Sequence, residues 1–254
     1  MEQFERRQKI AELVNSQGRV KVTELAALFD VSEVSVRADL ADLEAKGLLS
    51  RVYGGAVSSY KSYYTMTMHQ RLSVNREQKD RIAARVVEMI EEYDTIMLNS
   101  GTTTLAIFRK IPAEMHVSIV TNSITIALEA AGNPNFNVVL LGGSVNARYQ
   151  FVYGDNAVAQ LKGYHADKLI LSVDGINPAD GFTTYYDREV ELDRIMLANS
   201  AMHIVAADSS KLGRTAFAHI APVNAADYII TNADRAAGED LAALKEIAPQ
   251  LITV

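Results

Sequence analysis

The sequence predicts an α/β protein in two parts: a small helical part that ends in a hairpin, and a larger part built on a mostly parallel sheet. Three observations predict it. Between residues 4 and 57, short helical patterns joined by a tight turn run into a capped helix and a glycine-turned hairpin. From Tyr93 onward, β-rich apolar runs alternate with helical patterns, as in a parallel sheet covered on both faces. The length, 254 residues, suits one large or two ordinary domains with a sizeable core.

The first helix is expected over Phe4–Ser16, with Ile10, Leu13 and Val14 on one face and Gly18 at its end. Val20 and Val22 predict a short strand. Thr23 is placed to cap a brief helix to Phe29, and Asp30-Val31 to turn tightly into Ser32. Ser32 then caps a helix in which Val36, Leu40 and Leu43 share a buried stripe, while Ser35, Arg37, Ala38 and Asp42 face elsewhere. Gly47 can end that helix in the left-handed conformation. Strands over Leu48–Val52 and Ala56–Val57 fold across Tyr53-Gly54-Gly55. Two helices joined by a short turn form a helix-turn-helix, whose second helix enters the DNA major groove; the hairpin would be its wing.

Residues 1–60 carry eight Lys/Arg and nine Asp/Glu. A nonspecific DNA coat would be basic throughout, whereas a specific reader needs a few cations on one face. Arg37, Lys46 and Arg51 can supply that face, with Ser32, Ser35, Tyr53, Gly54 and Gly55 approaching the backbone and Val34 a thymine methyl. An amphipathic helical hairpin without a DNA role is the blander reading, and the agreement of cap, turn and wing spacings weighs against it.

With no cysteine, disulfides and thiolate metal sites are excluded, and a reducing cytoplasm fits. His69, His116, His165, His203 and His219 stand singly, so no metal site is expected. No apolar run approaches the roughly 20 residues of a membrane-spanning helix. The first residues have no hydrophobic signal core, so no cleaved leader is expected. The net charge of −6 makes any nucleic-acid contact local.

Residues 58–75, polar and tyrosine-rich, read as an interdomain connection; Arg71 and Arg76 could reach DNA, and solvated linker charge is the favoured reading. A helix follows over Arg76–Glu92. Strands are expected at Thr95–Leu98, Val117–Val120, Val138–Leu141, Leu169–Val173, His203–Ala206, Tyr228–Ile230 and Leu251–Val254. Helices are expected at Thr104–Lys110, Ile124–Ala131, Asn156–Leu161, Arg188–Ser200 and Glu239–Ile247. The domains are therefore 1–57, a linker 58–75, and 76–254.

In open α/β sheets ligands sit outside the carboxyl ends of the strands. The polar clusters fall there: Asn99-Ser100-Gly101-Thr102-Thr103, Thr121-Asn122-Ser123, Gly142-Gly143, Asp174-Gly175 and Asp208-Ser209-Ser210-Lys211. The first ends a strand and opens a helix, an anion cradle without the lysine of a nucleotide P-loop; alone it is also a common strand-to-helix turn.

The segments RRQKI and TELAALFDVSEVSVRADLADLEAKGLLSRVYGGA resemble the winged helix-turn-helix of the DeoR/GlpR family of bacterial sugar-operon transcriptional repressors. NSGTTT, VTNS, LLGGSV, YGD, ADKLILSVDGI, GFTT and ADSSKLGR follow in the order of that family's sugar-phosphate sensor domain, so the likeness covers about residues 1–235. It implies binding to double-stranded operator DNA, no enzymatic activity, no cofactor, and a sensor fold similar to ribose-5-phosphate isomerases. It implies that Ser100, Gly101, Thr102 and Thr103 hold the phosphate of a small phosphorylated sugar. Asp174 and Glu189 would meet its hydroxyls and Lys211 would offer a cation, with Asn99, Asn122, Gly142 and Gly143 lining the site. A homodimer or homotetramer, free of membrane, would span paired half-sites. The chain departs from the family pattern in having Arg37-Ala38 for two arginines, Asn99 for Asp, Ser172 for Gly and Asp193 for Lys. The YGD…YHAD segment and the absent lysine look most like the amino-sugar-responsive branch. The alternative is a sugar-phosphate isomerase with an appended DNA-binding domain; Glu189 could be its base, but Asp193 stands where an electrophilic cation is needed.

Overall fold

The computed structural model describes residues 3–17, 19–45, 49–58, 66–232 and 238–254. They form two compact units, residues 1–67 and 68–254.

In the first unit, α1 (Gln3–Gln17), α2 (Val22–Phe29) and α3 (Glu33–Ala45) enclose a core with a three-stranded antiparallel sheet in the order β1-β3-β2. The strands are β1 (Arg19–Lys21), β2 (Leu49–Val52) and β3 (Gly55–Ser58). Ile10, Val14, Val36, Leu40 and Leu43 are buried together, as the helical spacing predicts. Ser32 caps α3, its Oγ accepting from the Ser35 amide at 3.1 Å. Asp30 makes the interhelical turn in the left-handed region, φ 51°, its amide bonded to Ala26 O. Thr23 does not cap α2. That helix begins one residue earlier, and the Val22 amide is already satisfied by Gly54 O of the hairpin turn at 2.9 Å. Gly55 is a glycine for packing reasons: a Cβ there would lie 2.0 Å from Val20 O on the paired strand. Gly47, expected to end α3, and Gly18, Tyr60, Tyr63 and Tyr64 lie outside the described residues.

The second unit begins with α4 (Met68–Ser73), a helix inside the stretch read as linker. Met68 packs in the same core as Ile82, Ala83 and Val86 of α5 (Arg76–Val87). α5 stops short of Glu92, because the Asp94 carboxylate takes the Glu91 amide at 2.6 Å and Tyr93 turns at φ 69° toward the sheet.

Seven parallel strands follow, all seven predicted: β4 (Thr95–Leu98), β5 (Val117–Thr121), β6 (Phe136–Leu140), β9 (Ala166–Leu171), β12 (Ser200–Ala206), β14 (Tyr228–Thr231) and β15 (Leu251–Thr253). Their order is β15-β14-β12-β9-β4-β5-β6. Alternation sends Ile96, Leu98, Ile170, Ile204 and Ile230 to one face, under α5, α6 (Thr102–Phe108) and α7 (Ile124–Ala130). It sends Met97, Leu169, Leu171, Val205 and Ile229 to the other, under α8 (Asp155–Leu161), α9 (Asp187–Ala198) and α10 (Gly238–Ile247).

Two small additions were not predicted. One is the hairpin of β7 (Ser144–Asn146) and β8 (Phe151–Tyr153). The other is an antiparallel sheet of β10 (Gly175–Asn177), β11 (Gly181–Thr184) and β13 (Ala218–Ala221), which begins where β9 ends.

Candidate functional site

The strand order reverses between β4 and β9, so the crevice beyond their carboxyl ends is the topological switch point where open α/β sheets bind ligands. Asn99 follows β4 and Ser172 follows β9, and they fasten the two strand ends together. Asn99 Oδ1 accepts from the Ser172 amide (2.9 Å) and Oγ (3.2 Å), while its Nδ2 donates to Ser172 O (2.9 Å) and Asp193 Oδ1 (3.3 Å). Asn99 and Asp193 thus touch through a hydrogen bond. By the resemblance noted in the sequence, Asp and Lys are the residues expected at these two positions, and they would form an ion pair where Asn and Asp form that bond.

The cluster is buried and acidic. Glu189 and Asp193, four residues apart on α9, are both buried. Ser100 Oγ donates to Glu189 Oε1. Burial first, then the neighbouring Asp193 and Asp174 charges, lift Glu189 well above the usual carboxylate range, against hydrogen bonds from Ser100 and Asn122. Burial likewise lifts Asp193 to about 7; the Asn99 hydrogen bond opposes that and the Asp174 charge adds to it. Asn122 has no exposed surface, its Nδ2 donates weakly to Val152 O at 3.4 Å, and its Oδ1 has no hydrogen-bond partner among the described residues.

Asp174 is set by β11: its Oδ2 accepts from the Tyr185 amide at 3.0 Å and Thr184 Oγ1 at 3.4 Å. Lys211 sits in a 3-10 turn (Ser209–Lys211) begun by Asp208, whose Oδ1 accepts from the Ser210 amide. Burial depresses Lys211 to about 8, with Asp208 and Asp174 holding it up. Burial pushes Asp208 upward, but Lys211 and the Ser210 bond outweigh it and hold the carboxyl low.

The structure therefore draws Asn99, Ser100, Asn122, Asp174, Glu189 and Lys211 into one network. Thr102 and Thr103 are buried at the start of α6, whose first turn has no side-chain cap. Gly101 is extended, φ 170°, and a Cβ there would lie 2.0 Å from Ser172 Oγ, so its first role is to admit that side chain. Gly142 and Gly143 follow β6, two strands from β4. Gly142 exchanges hydrogen bonds with the Gln160 side chain, and Gly143 lies against Tyr153 O. A cavity of 780 Å³ beside α4, α5 and α6 touches the predicted residues only at Thr102; Arg76, Lys79, Arg109 and Lys110 also line it. Chemically, the switch-point network offers oxygens that accept from hydroxyls and one buried ammonium. A carboxylate, not a cation, stands one helical turn after Glu189, which does not suit isomerisation.

In the first unit, Val34 is 74% exposed and Tyr53 wholly exposed, and Arg37, Arg51 and Gly54 are exposed as well. Ser32 and Ser35 bond each other at the start of α3. Arg37 pairs with Glu33 at 2.7 Å. Arg51 is fixed by Glu44, which accepts from its amide (2.7 Å) and Nε (2.6 Å) and so ties wing to helix. Gly55 is buried, and Lys46 lies outside the described residues. Sequence reasoning missed Asp39. It is fully buried and accepts from Arg6 Nε (2.7 Å) and Arg7 Nε (2.8 Å), tying α1 to α3. Its signal was legible, an acidic residue on the Val36–Leu40 stripe with two arginines upstream.

A model of the DeoR-like helix-turn-helix domain matches residues 6–62, and one of the DeoR C terminal sensor domain matches residues 74–233. The chain is 34% identical to a putative aga operon transcriptional repressor of Escherichia coli O157:H7, over 98% of this chain and 93% of that one. It is 32% identical to the glycerol-3-phosphate regulon repressor of Escherichia coli K12, over 92% of each. Among solved structures, ribose 5-phosphate isomerase A of Methanocaldococcus jannaschii is similar over 54% of each chain, with a TM-score of 0.40 and 16% identity. The chain belongs to the DeoR family of sugar-operon transcriptional repressors: it is a DNA-binding regulator with a sensor domain, and not an enzyme.

Proposed function

We propose that this chain represses a carbohydrate-utilisation operon and that a phosphorylated sugar or amino sugar gates it from the crevice between β4 and β9. The observation that carries the reading is the buried network at the switch point, with an unpartnered Asn122 Oδ1 among carboxylates that accept from hydroxyls. Backbone amides at Ser100–Thr103 take the phosphate, at a helix start that no side chain caps. Asp174, Glu189, Asn99 and Asn122 meet hydroxyls, Lys211 supplies the cation, and Gly142 and Gly143 border the site. Operator DNA is read by α3 through Ser32, Val34, Ser35 and Arg37, with Lys46, Arg51, Tyr53, Gly54 and Gly55 on the wing side. The chain works in the cytoplasm as a homodimer or homotetramer, so that paired helices span two half-sites.

A thermal-shift screen of sugar phosphates tests this. A ligand at a hundred times its dissociation constant adds about 2.7 kcal/mol of stability. Stabilisation by at least one compound, without its turnover, is expected; none in a broad panel, or turnover, would contradict the reading. Thr102→Asp should abolish the shift. Gly101→Val is a poorer probe, because its side chain meets Ser172 before any ligand.

A further inference from the structure

The first element of the second unit is fastened to the candidate site. Arg71 of α4, read from sequence as solvated linker charge, is only 8% exposed. Its Nη1 lies 4.0 Å from Asp174 Oδ1, and its guanidinium sits 4.3 Å from the centre of the Tyr149 ring. Tyr149 packs on Tyr186, with ring centres 4.5 Å apart. The Arg71 and Val74 carbonyls accept from buried Lys79 Nζ at 2.8 and 2.7 Å. Asn75, in the left-handed region at φ 50°, donates from Nδ2 to Asp208 Oδ1 at 2.9 Å. Asp174 and Asp208 are the two carboxylates whose charge supports Lys211. The same pair thus faces the proposed ligand cation, Arg71 within α4 and Asn75 just after it, while the Met68 amide at the start of α4 donates to Arg148 O at 3.1 Å.

A helix of six residues has little stability of its own, so these ties set where α4 lies. The chain leads from its first residue directly into residues 1–67.

We propose that Arg71 is a positioning residue that couples ligand occupancy to operator binding, acting through Asp174. The inference rests on the reading that the effector engages Asp174 and Lys211. At 4.0 Å the Arg71–Asp174 contact is charge attraction rather than a short hydrogen bond. A ligand hydroxyl or ammonium drawn to Asp174 competes with the guanidinium and changes the hold on α4. That supplies what gating requires, a ligand that binds two arrangements of the chain unequally.

The test uses the full chain, an operator fragment selected from random DNA by the wild type, and one probe. The probe is whichever of a panel of hexose 6-phosphates, pentose 5-phosphates and their amino derivatives gives the largest thermal shift. In the wild type the probe should change operator affinity by about 5–150-fold. In Arg71→Gln, which lacks the guanidinium that the probe displaces, probe-free operator affinity should move toward the wild type's probe-bound value, probe binding should be retained or tightened, and the probe-induced change should fall below about twofold. Arg71→Lys, which keeps the charge without the flat guanidinium over Tyr149, should respond in between. Full coupling in Arg71→Gln, or loss of probe binding with it, overturns the inference alone. Should that variant fail to fold, full wild-type coupling in Arg71→Lys does the same. A wild type that answers no probe overturns the effector reading as well, and that shows before any substitution is made.

Discussion

Replacing Asp39 tests how the DNA-reading helix is held. The carboxylate has no exposed surface and receives Nε bonds from Arg6 and Arg7, on a helix that also meets α3 through apolar side chains and the Arg7–Asp42 pair. Removing one partner of a buried ion pair costs about 3–5 kcal/mol. Arg7 is 24% exposed and also reaches Asp42 at 2.9 Å, so Asp39→Ala belongs at or below the lower end, about 2–3 kcal/mol. A unit of about 60 residues has only about 3–9 kcal/mol in all, so the variant should leave the first unit marginally folded and its operator affinity much reduced. Asp39→Asn keeps the shape and one acceptor and should cost less, about 1–2 kcal/mol. Hydrogen exchange of α3 amides in the full chain reads the loss directly. Burial pushes Asp39 up, but the Arg6 and Arg7 bonds more than offset it and hold the carboxyl below its ordinary value. Its contribution is therefore complete above about pH 4 and is lost as pH falls through the lower folded value. A change in α3 protection below about 0.5 kcal/mol for Asp39→Ala would refute the reasoning.

Other substitutions bear on the two sites. Asn99→Asp puts a carboxylate against Asp193 and should destabilise the second unit by about 1–3 kcal/mol; Asp193→Lys added to it should restore most of that, and an additive double variant would contradict the contact. Asp193, lifted to about 7, keeps its proton in the folded chain after the unfolded chain has lost it. Thermal stability of the second unit should therefore fall as pH rises from about 4 to about 7 and level off above, less steeply in Asp193→Asn; equal slopes would count against the assignment. Arg37→Ala should weaken operator binding by about 1–3 kcal/mol and relax preference at one base pair, measured by gel shift at fixed salt; unchanged affinity would remove Arg37 from the interface.

What the sequence made legible was whatever has a period or a cap. Each of the seven parallel strands carries a short β-rich apolar run, and Ser32 and the Val36–Leu40–Leu43 stripe announce α3. The β10–β11 hairpin was missed because it turns on Asn177, whose Oδ1 takes the Ala179 and Asp180 amides, within strands of three and four residues. α4 was missed because nothing local distinguishes it from a linker; its reasons, Asp174 and Lys79, lie elsewhere in the chain. For the ligand site, position along the strands was readable and partnership was not. That Asn99 touches Asp193, or that Gly101 must be bare because of Ser172, follows only once β4 and β9 are known to be neighbours.

The most direct test of the central claim is a titration of operator affinity with sugar phosphates on the purified chain. A DNA-binding regulator gated at the β4–β9 crevice should show its operator dissociation constant shifted by about 5–150-fold by at least one of them, with the compound recovered unchanged. Operator affinity indifferent to every sugar phosphate that binds the protein would contradict it.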